Sequence, residues 1–528
     1  MPGSRPHRLL RMILLSQTLN TPPPQGLLFV DWSIIALYGG LTIFLGWWYG
    51  RSQTSTKEYF VGSGAMNPWL VGVSLFATLL STITYLSKPG EMLGKGPVVM
   101  VDILMYPLVF LVVAFWLLPV YMKHKVTSAY ELLESRLGLG IRLFAVVLFL
   151  LLRLVWMSLL IYLTAKAITT MCGLDKKWII AVVIAAGTVS MIYTSLGGMR
   201  AVVITDLIQT ILLYGGALLV IGTVTWKMGG VSWFPTEWKP HWDEQPFFSF
   251  DISTRVTVFG TLLSMFLWFV GTSGSDQVTV QRFMSTKDVS AARRALGMQL
   301  GVGALVGLTL SLVGFALLGF FEANPGSLAP GLSLKGNADE IFPYFIAYHL
   351  PPVVSGLVVS GLFAAAMSSI DSGVNSITAV VMTDLMERLG WKFSSEGGHV
   401  RWAKILALVV GILVVCLSTL AAYVPGNITA VTNKTVNLFT MPLFCLFFFA
   451  LFSRQASPVG VAIGTICGML TAILIAFSGP IFIAGFDPKT QHDPVSFQWI
   501  APVTLIVNLT TGYFFSWLIP RRTHTQAA

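Results

Sequence analysis

The sequence predicts an all-α polytopic membrane protein of about thirteen spans, arranged as two five-helix repeats around two interrupted helices. Three observations predict it. Of 528 residues, 55% are hydrophobic and 11% charged, and the mean hydropathy is +0.76; soluble domains carry about 25% charged residues. Apolar runs of about 20 residues, enough to cross about 30 Å of hydrocarbon at 1.5 Å per residue, recur along the chain. Two of those runs, five spans apart, are broken midway by hydroxyls and glycines. The long runs exclude a transmembrane β-barrel, whose segments are short and alternating.

The runs lie at 29–50, 68–88, 98–121, 141–171, 176–195, 199–225, 255–282, 291–321, 352–384, 401–423, 428–453, 456–478 and 497–519. Residues 1–28 read as a disordered leader: the apolar patch is short, Arg11 interrupts it, and Pro22, Pro23 and Pro24 cannot be helical. Met12 is an alternative start. A single membrane domain then covers 29–519, with an extra first helix (29–50), repeat 1 (68–225), repeat 2 (255–453) and two additional helices (456–519), before a cytoplasmic tail at 520–528. No signalling module follows within this sequence.

Charge placement sets the orientation. With the N-terminus outside, eighteen Lys and Arg fall in inner loops, Arg282 among them, against twelve outside, Lys88 among them. This predicts an outer N-terminus and a cytoplasmic C-terminus in a plasma or inner membrane. The stretch 338–352 is amphipathic and is expected to lie at the membrane interface. The four cysteines (Cys172, Cys416, Cys445, Cys467) have no metal-type spacing and read as small core residues. All seven histidines fall in loops or at ends, which argues against a membrane-embedded enzyme.

A charge at the bilayer centre costs about 2.5–3.5 kcal/mol on insertion scales, so ionisable residues inside spans are candidates for function. They are Asp102, Arg153, Lys166, Asp206, Asp276, Asp371 and Lys434. Asp31 is expected at the interface, and Asp102 and Lys166 are expected to snorkel from span ends. Arg153 needs a partner that sequence does not name. Lys434 reads either as facing a cavity or as capping a helix end. Asp206 reads as a cation ligand or as a carboxylate paired across helices.

The stretch GLFAAAMSSIDSGVNS (361–376) is the densest polar patch in an apolar run. Ala365, Ser369 and Ser372 fall at i, i+4 and i+7, and Ser368, Asp371 and Ser372 at i, i+3 and i+4. The residues alone leave two readings open: close helix packing through small side chains, or oxygen ligands for a hard monovalent cation. The interrupted runs are ATLLSTIT (77–84) and VGTSGSDQ (270–277). Unwound backbone at mid-membrane is tolerated only where it lines a cavity, and paired discontinuous helices are the mark of carriers with inverted repeats.

Several motifs then occur in one order: VDWSIIALY (30–38), TSTKEYFVGSGAMNPWLVGVSLFA (54–77), VTSAYELLESRLG (126–138), SLGGMRAVVITDLIQ (195–209), DQVTVQRFMSTKDVSAARRAL (276–296) and the serine stretch itself. In these the chain resembles the sodium/solute symporter family, sodium-coupled carriers of sugars, proline, sialic acid, iodide, monocarboxylates and vitamins. The resemblance covers residues 30–453.

The resemblance implies a LeuT-type fold with a 5+5 inverted repeat, sodium as coupling ion and no other cofactor. It implies a sodium site formed by the carbonyls of Ala77, Leu80 and Ala365 and the hydroxyls of Ser368 and Ser369. It further implies a second sodium site from Asp206, Ser368 and Ser372, with Asp371 where other members often carry a hydroxyl. Solute contacts are placed by position at Ser81, Thr82, Thr84, Trp268, Thr272, Ser273, Asn437 and Thr440. Leu79 stands where sugar and proline carriers carry Asn or Asp, so the resemblance leans to a small organic anion, monocarboxylate-like, over a sugar or amino acid. The expected partners are a small solute, sodium and the bilayer, and no nucleic acid. A proton-coupled carrier and a non-transporting solute sensor are the competing readings.

Overall fold

The computed structural model describes residues 26–51, 60, 66–124, 128–242, 248–391, 395–420, 428–487 and 491–520. The leader up to residue 25 and the tail from 521 lie outside the described residues. Among those described, eleven helices are long and apolar enough to cross a membrane, and one sharply bent pair makes a twelfth span. The apolar helix Ile179–Thr188 is shorter. With it, all thirteen predicted runs are helical.

The chain opens with α1 (Phe29–Gly50). The first interrupted run is α2 (Pro68–Leu79) and α3 (Thr82–Gly94), bent by 65°. Next come α4 (Pro97–His124), the short α5 (Glu131–Leu137) and α6 (Leu139–Met171). Then α7 (Ile179–Met228) kinks at Gly198, whose φ of 62° suits a residue without a Cβ. The second interrupted run is α8 (Val258–Ser275) and α9 (Gln277–Met284), followed by α10 (Val289–Ala323) and α11 (Ala338–His349). The serine stretch lies on α12 (Val354–Val380). The chain ends with α13 (Glu396–Ser418), α14 (Ile428–Phe452), α15 (Pro458–Ala476), α16 (Ser478–Phe482) and α17 (Ile500–Leu518).

The peripheral pair α15 and α17 meets through small residues. A Cβ added at Gly464 would strike the Gly512 backbone, so the two backbones are in contact, as close-packed membrane helices require. At the centre, α12 packs on α1, α6, α7 and α13, and its residues from Ala364 to Val380 are all buried.

Asp31, at the start of α1, is 1% exposed and caps α12, accepting from Val353 N (2.9 Å), Gly356 N (3.0 Å) and Ser355 Oγ (2.8 Å). Val353 adopts a left-handed φ of 73°, which aims its amide at that carboxylate. The amphipathic α11 buries Ile341 to Ala347 against α3 and α6. Asp102 does not snorkel but forms a buried ion pair at 2.7 Å with Lys88, which was expected in an outer loop. Lys434 bridges to Asp493 at 2.5 Å, and Lys166 reaches Glu340 at 3.3 Å.

Candidate functional site

The first break follows from its sequence. Ser and Thr offer the backbone hydroxyl partners that compete with helix bonds. Leu80 (ψ 101°) and Ser81 (ψ 169°) are extended, and α3 restarts at Thr82. The last carbonyls of α2 therefore have no acceptor role inside a helix. Two bonds sew the break to α12: Ser369 Oγ donates to the Thr78 carbonyl (3.0 Å) and Thr82 Oγ1 to the Leu362 carbonyl (3.2 Å). Ala77, Leu80, Ala365, Ser368 and Ser369 are all buried around this seam.

One turn away lies a denser polar cluster. Asp206 on α7 is fully buried and accepts from Ser368 Oγ (2.6 Å) and Ser74 Oγ (2.5 Å). Arg282 on α9, also fully buried, lies 3.4 Å from the same carboxylate. Its guanidinium donates to Ser74 Oγ (2.9 Å) and to Ser372 Oγ (2.5 Å), and Ser372 in turn meets Thr78 Oγ1 (2.9 Å). Asp371 is fully buried and within electrostatic reach of Arg282.

Arg282 is thus a core residue, not the inner-loop charge that its polar surroundings suggested. Removing it from the inner count and Lys88 from the outer leaves the charge bias as it was. Ser74, Thr78 and Arg282 complete a cluster for which sequence named only Asp206, Ser368, Asp371 and Ser372. The available signal was Ser74 and Thr78 at i and i+4, on the face of α2 that ends at the break.

The second break is tied shut by protein groups. Asp276 caps α9 by accepting from Val278 N (3.2 Å) and pairs with Arg153, the partner that sequence could not name. Tyr121 donates to the Gly274 carbonyl and Tyr130 to that of Ser275 (3.2 Å).

Beside the first break, and walled by α8, lies a cavity of about 240 Å³. Leu80, Thr84, Trp268 and Asn437 line it, alongside Trp156 and Phe269. Thr272 and Thr440 line a smaller void of about 30 Å³ that also reaches Arg153 and Asp276. Ser273 is buried at 2%, Thr82 faces α12 through its bond to Leu362, and the buried Ser81 hydroxyl has no hydrogen-bond partner among the described residues. Of the eight positions expected to touch solute, three therefore share the main cavity.

The family model described as "Sodium:solute symporter family" matches residues 59–468. The chain belongs to this family. It is 30% identical over 473 residues to the sodium/sialic acid symporter SiaT of Proteus mirabilis, covering 85% of this chain and 90% of that one. It is 27% identical over 478 residues to human sodium-coupled monocarboxylate transporter 1, covering 88% of this chain and 76% of that one. A solved structure titled as the substrate-bound outward-open state of a sodium-coupled sialic acid symporter superposes with a TM-score of 0.78 at 25% identity. It covers 93% of this chain and 98% of that one. The chain is therefore a multi-pass, LeuT-like sodium-coupled carrier, not an enzyme.

Proposed function

We propose that this symporter couples inward sodium movement to uptake of a small organic anion, monocarboxylate-like, by alternating access. The observation that carries the coupling is Leu80, while the lean to an anion rests on Leu79 standing where sugar and proline carriers carry Asn or Asp. Leu80 sits in the first break, sewn to α12 by the Ser369–Thr78 bond, and it also lines the solute cavity. A sodium ion held by the carbonyls of Ala77, Leu80 and Ala365 and the hydroxyls of Ser368 and Ser369 would clamp α2 to α12 and fix one wall of that cavity. Ion and solute then stabilise one state together, so each must raise the affinity for the other.

A second sodium site at Asp206, Ser368, Asp371 and Ser372 has to compete with Arg282, which donates to Ser372 and lies beside Asp206. In this reading Arg282 is the resident cation of that site, and a second ion enters only where the guanidinium swings away. An outer N-terminus and cytoplasmic C-terminus agree with the loop charges.

One sodium falling through about 100 mV yields about 2.3 kcal/mol, and a tenfold gradient adds about 1.4 kcal/mol. Uptake into proteoliposomes under a sodium gradient alone and a proton gradient alone tests the reading. Accumulation is expected with sodium only; accumulation driven by protons only would assign the coupling to Asp206 or Asp371 instead. Asp206→Asn is expected to lower the sodium-to-solute ratio or uncouple uptake.

A further inference from the structure

A groove of about 990 Å³ runs along the last turns of α7 and shares no residue with the solute cavity. One wall is a single helix face, on which Gly215, Leu218, Leu219, Gly222 and Trp226 fall at three- and four-residue spacing. At 1.5 Å per residue that face is about 16 Å long. The other wall is the corner between α11 and α12, from His349 to Pro351.

The α7 wall is bare. Leu218 is 46% exposed and Trp226 87%, and a Cβ added at Gly215 or Gly222 would meet nothing within 4 Å. At Gly464 and Gly512, by contrast, the missing side chains let two backbones touch. Thr223 adds no polarity to the groove, because its hydroxyl donates to the Leu219 carbonyl (2.8 Å). The wall belongs to an apolar span, Gly198–Met228, so its surroundings are hydrocarbon.

The groove ends at a charge. Lys227, in the last turn of α7, lines it and makes no ion pair among the described residues. Its Nζ donates to the His349 carbonyl (2.5 Å) and keeps two of its three N–H donors unspent. The last carbonyls of α7 do not take them: Thr225 accepts from Gly230 N (3.0 Å) and Trp226 from Gly229 N (3.2 Å). An unneutralised ammonium beside an exposed tryptophan, at the head of an apolar groove, complements a lipid with a negative headgroup. The rival occupant within this chain is the leader, since Gly26 lies against Tyr348, the neighbour of His349. Residues 1–25 hold Arg5, Arg8 and Arg11 and no acidic residue, so Lys227 repels them.

We propose that this groove binds an anionic phospholipid, one acyl chain lying over Gly215 and Gly222 and the phosphate accepting from Lys227. The lipid then bridges α7 to the corner between α11 and α12. The site is separate from the solute and sodium sites and does not depend on which solute is carried.

Native mass spectrometry of the full chain, released from micelles titrated with one lipid at a time, tests this. The probes are palmitoyl-oleoyl phosphatidylglycerol and phosphatidylcholine with the same chains. The first phosphatidylglycerol is expected to half-saturate at about one-fifth the concentration of phosphatidylcholine or less, the preference that one lysine at a membrane surface confers. Lys227→Gln should abolish that preference and Lys227→Arg should keep it. Gly222→Leu places its side chain in open space and raises helix propensity; it should weaken both lipids with no loss of melting temperature. Equal binding of the two lipids by the unaltered chain, or a preference that survives Lys227→Gln, would overturn the proposal. So would unchanged lipid binding in Gly222→Leu, and a dimer mass that Gly222→Leu removes would give the groove to a second copy of this chain instead.

Discussion

The two interrupted helices look alike in sequence and differ in what completes them. At the second break, between α8 and α9, Tyr121 and Tyr130 fill the loose carbonyls of Gly274 and Ser275, and Asp276 caps α9 while pairing with Arg153. At the first, between α2 and α3, Ser369 and Thr82 bring hydroxyls to the seam, and no cationic side chain bonds there among the described residues. Both breaks expose backbone oxygen within an apolar run. One is satisfied by the protein and becomes a fixed joint. The other is only stitched, and it is there that the proposed sodium ion would sit.

The largest test of that contrast is at the fixed joint. Arg153→Met leaves Asp276 buried without its partner, and removing one member of a buried pair typically costs about 3–5 kcal/mol. Denaturant unfolding in detergent should show a loss of that order, with Arg153→Met/Asp276→Leu recovering most of it. A neutral single substitution would mean that the second break is not held by this pair.

A smaller effect separates ion binding from mechanical closure. Ser369→Ala is expected to raise the sodium concentration for half-maximal uptake about tenfold with little change in melting temperature. Tyr130→Phe should do the reverse, costing about 0.5–1.5 kcal/mol of stability and leaving sodium dependence alone. If both substitutions shift sodium equally, the two breaks are functionally alike and the contrast fails.

The smallest effect concerns the outer arm of the first break, α3, against which α11 packs. At the end of α11, burial and the nearby Lys227 charge push His349 down to about 4. Its native pKa lies below the ordinary value of about 6.5, so folding favours the neutral ring. The stability it contributes is present above about 6.5 and is lost as pH falls through about 4. Amide exchange in α11 should therefore quicken on acidification across that window, with α9 unaffected, and His349→Gln should flatten the response.

Both breaks were legible in the sequence because hydroxyls and glycines stand out against apolar runs. The end of the second one was less so. All eight residues from Gln277 to Met284 are buried, yet the predicted run 255–282 closes on Arg282, because polarity alone does not distinguish water from a polar core. That is why Arg282 was counted with the inner charges. Lys88 was misplaced in the same way, its burial depending on Asp102 across a turn of chain. The serine ladder could be placed on one helix face from its spacing, but its partners Ser74 and Arg282 lie on other helices and follow from no local pattern.

The cap that Asp31 places on α12 has a consequence for how the protein is made. The carboxylate and the Val353 amide it accepts are 322 residues apart, so α1 leaves the ribosome long before its partner exists. Until α12 is threaded into the bilayer, Asp31 must wait at a headgroup or against another segment, and the start of α12 must wait with its amides unpaired. Final seating of the first helix is thus an event of late biogenesis: a chain stalled or truncated before residue 353 inserts α1 but cannot lock it.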